Sequence, residues 1–334
     1  FTRVENIPKS VLRKCVDAVT WDNTGDYLDH FDAIPLGPNV GAFVPHSMLR
    51  VEAMGLRNSI SRDPTAEEMA NMEAMLEQAM EQGYLGMSTD GLPFHYLANE
   101  PHTDQRIPTQ FASFAEMKRL LAIVREHDRV WQTTPILENR LQAFRYFLLT
   151  SGRLFGKTLK TSALSVVRFV LAPKASRAFL GFAALANSRL LKGDIHFQAL
   201  GTNFRIWSDG IVSPLFEELE STCRLIAREY DDVEGRRALL DDPEFVRQFR
   251  RDWHHGRRGV NLAHFKARLG MPDILVVRDL DRMIFDGAPV PEWEGESMQA
   301  VYERLQRFQA GGEGQARSDA EREALAAFPR PTGD

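Results

Sequence analysis

Gly41-Ala-Phe-Val-Pro45 and His46-Ser-Met-Leu-Arg50 open the stretch that decides the fold, which runs from Val40 to Ala98. A strongly helical segment, Pro64 to Gly83, comes next, and the apolar run Tyr84-Leu-Gly-Met-Ser-Thr-Asp90 follows it. This order predicts a strand, a polar loop, a helix and a second strand. In parallel α/β proteins the loops after the strand ends line the ligand-binding edge. We therefore expect the polar residues after each strand to lie at a functional site.

The helix between the two apolar runs has recognisable signals at both ends. Thr65 as N-cap and Glu68 three residues later form a capping-box pattern, and Gly83 is a typical stop. We interpret the apolar side chains between these ends as a packing face, because Met is a flexible core filler. They recur at helical spacing and are Met69, Met72, Leu76, Ala79 and Met80.

Strands and helices continue to alternate along the chain. Strands are predicted to begin near residues 41, 85, 130, 158 and 194. The helix after the second strand begins at Ser113, with Glu116 placed to close another capping box. Such alternation is typical of a parallel sheet with crossover helices. The spacing suits (β/α)-barrel units, of which a whole barrel takes about 250 residues.

Two regions depart from this alternation. Residues 91–110 form a long polar loop with His95 and His102, and connections of this length are uncommon and often functional. The chain is mainly helical from Pro214 onward. We therefore assign residues 1–213 to the central part of a barrel and residues 214–334 to a helical insertion with a late-barrel segment.

Within the second part, four further elements are predicted. Trp253-His-His-Gly-Arg-Arg258 is interpreted as a polar loop, and Ile274-Leu-Val-Val-Arg278 as a strand. An amphipathic helix is predicted from Met298 to Phe308, and a last helix is capped by Ser318.

Composition excludes several classes of protein. The 334 residues carry a formal net charge of −5, which does not indicate a nucleic-acid-binding surface. Cys15 and Cys223 do not form a disulfide scaffold, and no apolar run approaches the ~20 residues of a membrane span. Without a visible secretory signal, we expect a reducing, cytoplasmic compartment and a small-molecule substrate, with the oligomeric state undetermined. Because the chain starts at Phe1, we also expect an interior segment that lacks both ends of its domain.

Several motifs in order resemble one enzyme family. Val44-Pro-His-Ser-Met-Leu-Arg50 with Met54-Gly55 resembles the "G-H-x-x-L-R … M-G" segment of D-aminoacylases, the N-acyl-D-amino-acid deacylases of the amidohydrolase superfamily. The helix from Thr65 and the run Leu85-Gly-Met-Ser-Thr89 resemble the next helix and the "G-L-S-T" strand of that family, and Glu294-Gly-Glu-Ser297 resembles a later helix entry.

The resemblance implies an α/β fold, a partial (β/α)8 TIM-type barrel with a helical insertion in its C-terminal half. It also implies a metal-dependent hydrolase in which Zn²⁺ activates water against an amide. The family's H-x-H pair and its "G-S-D-G" aspartate have no counterpart here. Its two interior ligand histidines should fall near Gln132-Thr-Thr134 and Ser162-Ala-Leu164, where none is present. The metal ligands are therefore left unassigned.

Candidate site residues are the polar side chains placed after predicted strands. His46 is the catalytic candidate, although the family does not use this histidine as a main metal ligand. Arg50 is a candidate for binding a substrate carboxylate, or else for fixing a loop through backbone carbonyls. The other substrate-binding candidates are Ser88, Thr89, Asp90, His95, Gln132 and Gln198.

Three functions stay open from sequence alone. The first is a hydrolase of C–N bonds other than peptide bonds, acting on an N-acyl-amino acid or a similar amide. The second, which the missing histidines favour, is a metal-free paralogue that binds a partner or serves as a scaffold. A nucleotide-dependent enzyme on a doubly wound sheet is the weakest, because no G-x-G-x-x-G or Walker-type loop follows a strand.

Overall fold

A computed structural model defines two compact units, Phe1–Leu275 and Val276–Asp334, which are described separately. The predicted boundary at residue 213 lies outside the described residues and stays a prediction. The structure describes residues 3, 7–92, 95–134, 140–164, 175–199, 207–208, 216, 219–229, 231–255, 279–311 and 316–328.

A parallel five-stranded sheet lies at the centre of the first unit, and it confirms the predicted strand positions. Its strands pair in chain order without the reversal that defines a doubly wound sheet. Within the described residues the last strand does not pair with the first, so a closed barrel stays a prediction. The strands are β1 (Phe43–Pro45), β2 (Gly86–Asp90), β3 (Val130–Thr134), β4 (Lys160–Ala163) and β5 (Asp194–Phe197).

Helices precede, connect and follow these strands. In the first unit they are α1 (Lys9–Asp17), α2 (Thr24–Ala33), α3 (His46–Met54), α4 (Leu56–Ser59), α5 (Ala66–Gln82), α6 (Phe114–Glu126), α7 (Arg140–Leu148), α8 (Gly152–Phe155), α9 (Ala175–Ala186), α10 (Glu220–Ile226), α11 (Val233–Asp241) and α12 (Pro243–His255). The second unit has α13 (Met298–Gln309) and α14 (Asp319–Ala327). In the part of the chain that the structure describes, we find no helix with both the length and the apolar character that crossing a membrane requires.

Helix α5 confirms the predicted ends and packing face. Thr65 Oγ1 accepts a hydrogen bond from the Glu68 amide at 3.2 Å, and the Glu68 carboxylate accepts one from the Thr65 amide at 2.7 Å. Gly83 closes the helix in the left-handed region, at φ 107°. The predicted apolar stripe of α5 is buried in the main core. Local sequence signals therefore set this helix.

The two faces of the sheet differ in chemistry. One face packs against helices and forms the core, and across β1, β2 and β3 it carries the in-register residues Val44, Met87 and Trp131. Side chains alternate along a strand, so the opposite face carries the next residues in each strand. That face is polar and half-exposed across β2, β3 and β4, with Ser88, Asp90, Gln132, Thr134 and Ser162. Polar residues near the carboxyl ends of the strands thus share one face of the sheet.

The predicted polar loop at residues 46–50 is wrong, because this segment is the start of helix α3. Pro45 is extended at ψ 122°, and the helix begins at the next residue. The buried positions in α3 follow helical spacing, and they are His46, Leu49, Arg50 and Met54. His46 and Arg50 are polar residues on that buried face, which is why the sequence of this segment indicates a polar loop.

The predicted polar loop at residues 253–258 is also wrong over its first residues. Trp253 lies in helix α12, and its ring is 5.6 Å from that of Phe249. Phe249 in turn stacks on Phe245 with ring centroids 6.4 Å apart. Contacts between side chains four residues apart are those that a helix brings together. The rest of that loop and the predicted strand at residues 274–278 lie outside the described residues.

The second unit is organised around the buried side chain of Glu321. Its Oε1 accepts hydrogen bonds from Trp293 Nε1 and from Arg304 Nε, both at 2.9 Å. Burial alone would raise the pKa of Glu321, but its hydrogen bonds from Arg317, Trp293 and Arg304 lower that pKa to about 2. The predicted cap is present, since Ser318 Oγ accepts from the Glu321 amide at 3.0 Å.

Candidate functional site

His46, the catalytic candidate from sequence, lies in a fully buried cluster. Its Nε2 is 2.9 Å from Glu116 Oε1, and its Nδ1 is 2.5 Å from Thr109 Oγ1. A carboxylate only accepts hydrogen bonds, so Nε2 must be the donor to Glu116. Both ring nitrogens are engaged, which leaves His46 no free nitrogen for a substrate in this arrangement.

Arg50 completes the same cluster. Its Nη1 donates to the second oxygen of Glu116. Its other nitrogens donate to backbone carbonyls, with Nη2 at 3.0 Å from Ser59 O and 2.9 Å from Arg62 O. These contacts match the alternative role given for Arg50 from the sequence, in which it fixes a loop through backbone carbonyls. The guanidinium is out of solvent, so we leave Arg50 out of the proposed substrate site.

Glu116 also belongs to this cluster, although the sequence predicts that its side chain closes a capping box with Ser113. Ser113 Oγ does cap α6, accepting from the Glu116 amide at 3.2 Å. The carboxylate, however, bonds His46 and Arg50. Burial acts to raise the pKa of Glu116, but the hydrogen bonds and charges of His46 and Arg50 lower it overall. A buried carboxylate stays ionised only when such donors replace water.

A second polar cluster lies at the carboxyl ends of β2 and β3. Asp90 and Thr134 are register partners, and Thr134 Oγ1 donates to Asp90 Oδ1. The Leu92 amide donates to the same oxygen at 2.8 Å, and His95 Nδ1 donates to Asp90 Oδ2. The side chains of Asp90 and His95 keep 24% and 20% of their exposure. We call Asp90, His95 and Thr134 the edge cluster.

The electrostatics of the edge cluster favour a charged Asp90. Burial is the largest single effect and acts to raise the pKa of this carboxyl. Hydrogen bonds from His95, Thr134 and the Leu92 amide together outweigh it and lower the pKa below its usual value. Since Asp90 is then ionised, the hydrogen between it and His95 resides on Nδ1.

Local structure explains why His95 reaches Asp90. Asp90 forms a turn with its own chain through the Leu92 amide, a common use of an aspartate side chain. The long loop then folds back on itself, with Leu97 N donating to Gln105 O at 2.8 Å and Ile107 N donating to His95 O at 3.1 Å. These backbone contacts hold His95 beside the strand end.

The other substrate-binding candidates divide between the two faces of the sheet. Ser88 and Gln132 are register partners on the polar face. Thr89 lies on the core-packed face, where its Oγ1 donates to Thr133 Oγ1 and accepts from Trp131 Nε1, each at 2.9 Å. Gln198 follows β5, and its Nε2 donates to Ser162 Oγ at 3.0 Å. The structure therefore places Ser88, Asp90 and Gln132 on one face of the sheet, with His95 bonded to Asp90, while His46, Arg50 and Thr89 belong to other environments.

Thr134 and Thr109 were missed by sequence reasoning. Thr134 could have been found, because it stands two residues after Gln132 and so shares its face of β3. Thr109 carries no local signal that connects it with His46, which is 63 residues away.

The described residues do not fit the implied Zn²⁺. Zinc sites in proteins use three or four His, Cys or carboxylate ligands, and no group of three such side chains is found in the described residues. The ends of β3 and β4 carry Gln132, Thr134, Ser162 and Ala163 instead. The edge cluster offers only Asp90 and His95, and each already bonds the other. We therefore assign no step of the reaction to a metal.

Curated proteins of two mycobacteria are similar in sequence to this chain. No protein-family model matches the chain. The chain is 34% identical over 270 residues to the uncharacterized protein Rv2913c of Mycobacterium tuberculosis, a match that covers 79% of this chain and 43% of the relative. The same figures hold for the uncharacterized protein Mb2937c of Mycobacterium bovis. The chain thus spans less than half the length of the curated relatives it matches.

Two solved structures are similar to part of this chain. One is an N-acyl-D-glutamate deacylase from Bordetella bronchiseptica in complex with zinc and a phosphonate inhibitor; it is 26% identical, with a TM-score of 0.40 over 52% of this chain and 33% of that chain. Another is a D-aminoacylase described as defining a novel subset of amidohydrolases, at 24% identity and a TM-score of 0.39 over 53% and 33%.

Proposed function

We propose that this chain is part of a hydrolase that cleaves C–N bonds other than peptide bonds, in an N-acyl-amino acid or a similar small amide. One observation carries the proposal: the edge cluster of Asp90, His95 and Thr134 lies at the carboxyl ends of adjacent parallel strands. Ligands of parallel α/β proteins bind at this edge. Asp90 follows directly on the run Leu85-Gly-Met-Ser-Thr89, one of the motifs that resemble D-aminoacylases.

The polar face beside the edge cluster suits an amide substrate. Gln132 carries both a donor and an acceptor and can pair with an amide group, and Ser88 adds a hydroxyl in register with it. The core-packed face of the same strands excludes water behind them. A small amide that lies on this face would therefore lie beside the edge cluster.

The activity is tested with a panel of N-acetyl and N-formyl derivatives of D- and L-amino acids, with the freed amine measured. We expect release of amine from at least one derivative. We expect Gln132→Leu to raise KM several-fold, because it removes an amide partner. Gln78→Leu on the exposed side of α5 is the matched control and should leave KM unchanged.

A metal-free binding or scaffold protein is the second candidate, and one observation favours it. The described strand ends lack a set of metal ligands. If no derivative in the panel releases amine, yet several raise the melting temperature of the protein, the binding role replaces the hydrolase.

A further inference from the structure

The contact between Asp90 and His95 differs from the other histidine–carboxylate contacts in the described residues. His95 bonds its carboxylate through Nδ1. His127 and His196 bond theirs through Nε2, at 2.5 and 2.7 Å, and His46 uses both nitrogens. His95 Nε2 makes no hydrogen bond within the part of the chain that the structure describes. The edge cluster thus presents the outer nitrogen of a held imidazole.

The carboxylate of Asp90 is itself held in place. Thr134 Oγ1 and the Leu92 amide both donate to Oδ1, which leaves Oδ2 for His95. Thr134 is fixed in turn, because its Oγ1 accepts from the Gly91 amide at 2.8 Å. An imidazole with its hydrogen on Nδ1 has a lone pair on Nε2, and this lone pair can take a proton.

We infer that His95 is the general acid–base of this site and that Asp90 is its positioning residue, an inference that rests on the proposed function. Water supplies the nucleophile. His95 Nε2 takes one proton from the water as its oxygen bonds to the amide carbonyl carbon. The C–N bond then breaks, and the same proton passes from Nε2 to the leaving nitrogen. The products are a carboxylic acid and an amine, and no group is oxidised or reduced.

Asp90 remains ionised throughout this sequence. Its charge stabilises the imidazolium that forms when Nε2 takes the proton, and its hydrogen bond keeps the imidazole in the tautomer that can accept. Thr134 acts indirectly, because its hydrogen bond orients the Asp90 carboxylate.

The test measures kcat and KM of the protein on the best derivative of the panel. General acid–base catalysis contributes typically about 10²–10⁴-fold, so we expect His95→Ala to lower kcat by about 100-fold or more with KM changed by less than about threefold. Imidazole added to the buffer should restore part of the activity of His95→Ala. The matched control is His127→Gln, which removes the contact between Glu77 of α5 and His127, the residue after α6, and should keep the parent kcat.

Asp90→Asn serves as the second variant in case His95→Ala does not fold. Its carboxamide can still accept from Thr134, but it favours the wrong tautomer of His95. We expect a fall of kcat of about 100-fold or more at constant KM, without rescue by imidazole. Circular dichroism and the melting temperature confirm folding of both variants.

The outcomes separate this inference from the proposed function. If the parent hydrolyses a derivative and a folded His95→Ala retains its kcat within about threefold, the acid–base role is refuted while the hydrolase stands. A loss of kcat in His95→Ala that added imidazole does not restore would also count against His95 as the proton carrier. If the parent hydrolyses none of the panel, the proposed function fails first, and the acid–base role is overturned with it.

Discussion

His46 Nε2 lies 2.9 Å from Glu116 Oε1, although 70 residues separate them in the chain. Arg50 binds the other oxygen of Glu116, and both partners of this carboxylate are out of solvent. The cluster joins α3 to α6 and, through Thr109, to the end of the long loop. We therefore expect it to hold the first unit together.

Glu116→Gln should destabilise the protein strongly. The change leaves Arg50 buried without its counter-charge, and removing one partner of a buried pair costs about 3–5 kcal/mol. Urea denaturation followed by circular dichroism measures the free energy of unfolding. Glu73→Gln breaks the more exposed contact with Arg119 and should cost about 1 kcal/mol or less. Equal losses for the two variants would show that the buried cluster is not special.

Gly86→Ala should prevent formation of the sheet. Gly86 adopts φ 146°, and an added Cβ would lie 1.8 Å from the carbonyl oxygen of Val130 in β3. Backbone cannot move aside without breaking the pairing of β2 with β3, so we expect insoluble or unfolded protein. Gly37→Ala, which meets no atom within 4 Å, should fold normally. Recovery of soluble Gly86→Ala with the parent melting temperature would contradict the pairing described for β2 and β3.

Leu76→Ala should lower the free energy of unfolding by about 2–5 kcal/mol, the usual cost of a cavity in a packed core. Leu76 is completely buried on α5 among the side chains of the main core. Met48→Ala is the control, because Met48 is 59% exposed and should change stability by about 0.5 kcal/mol or less. Chemical denaturation compares the two, and a loss below about 1 kcal/mol for Leu76→Ala would argue against tight packing of α5.

Glu321 should make stability depend on pH in the acidic range. Its pKa falls from 4.5 to about 2 in the folded chain. A pKa that folding lowers gives stability above the unfolded value, and this stability is lost as pH falls through the folded value. The difference in melting temperature between the parent and Glu321→Gln should therefore be full at pH 6 and shrink between about pH 4.5 and 2. A difference that does not change over this interval would refute the role of the ionised carboxylate. Glu303→Gln, at an exposed position of α13, should show no such trend.

The sequence by itself determined the elements whose signals are local. The capping box of α5, its left-handed Gly83 and its buried stripe depend on residues that are neighbours in the chain, so spacing and side-chain chemistry were sufficient. The strand positions followed for the same reason, from apolar runs between capped helices. The polar loop predicted at residues 46–50 failed because polar side chains occupied the buried face of α3.

Only the tertiary structure decided which polar groups meet. The sequence singled out Asp90 and His95 separately, but their contact depends on how the long loop folds back after β2. It placed Glu116 in a capping box. In the structure the buried Glu116 carboxylate instead pairs with His46 and Arg50, which are distant in the chain. Such contacts join residues that are far apart in the chain. No local pattern encodes them, because the free energy of each depends on burial and on the partners that the packed sheet and helices supply.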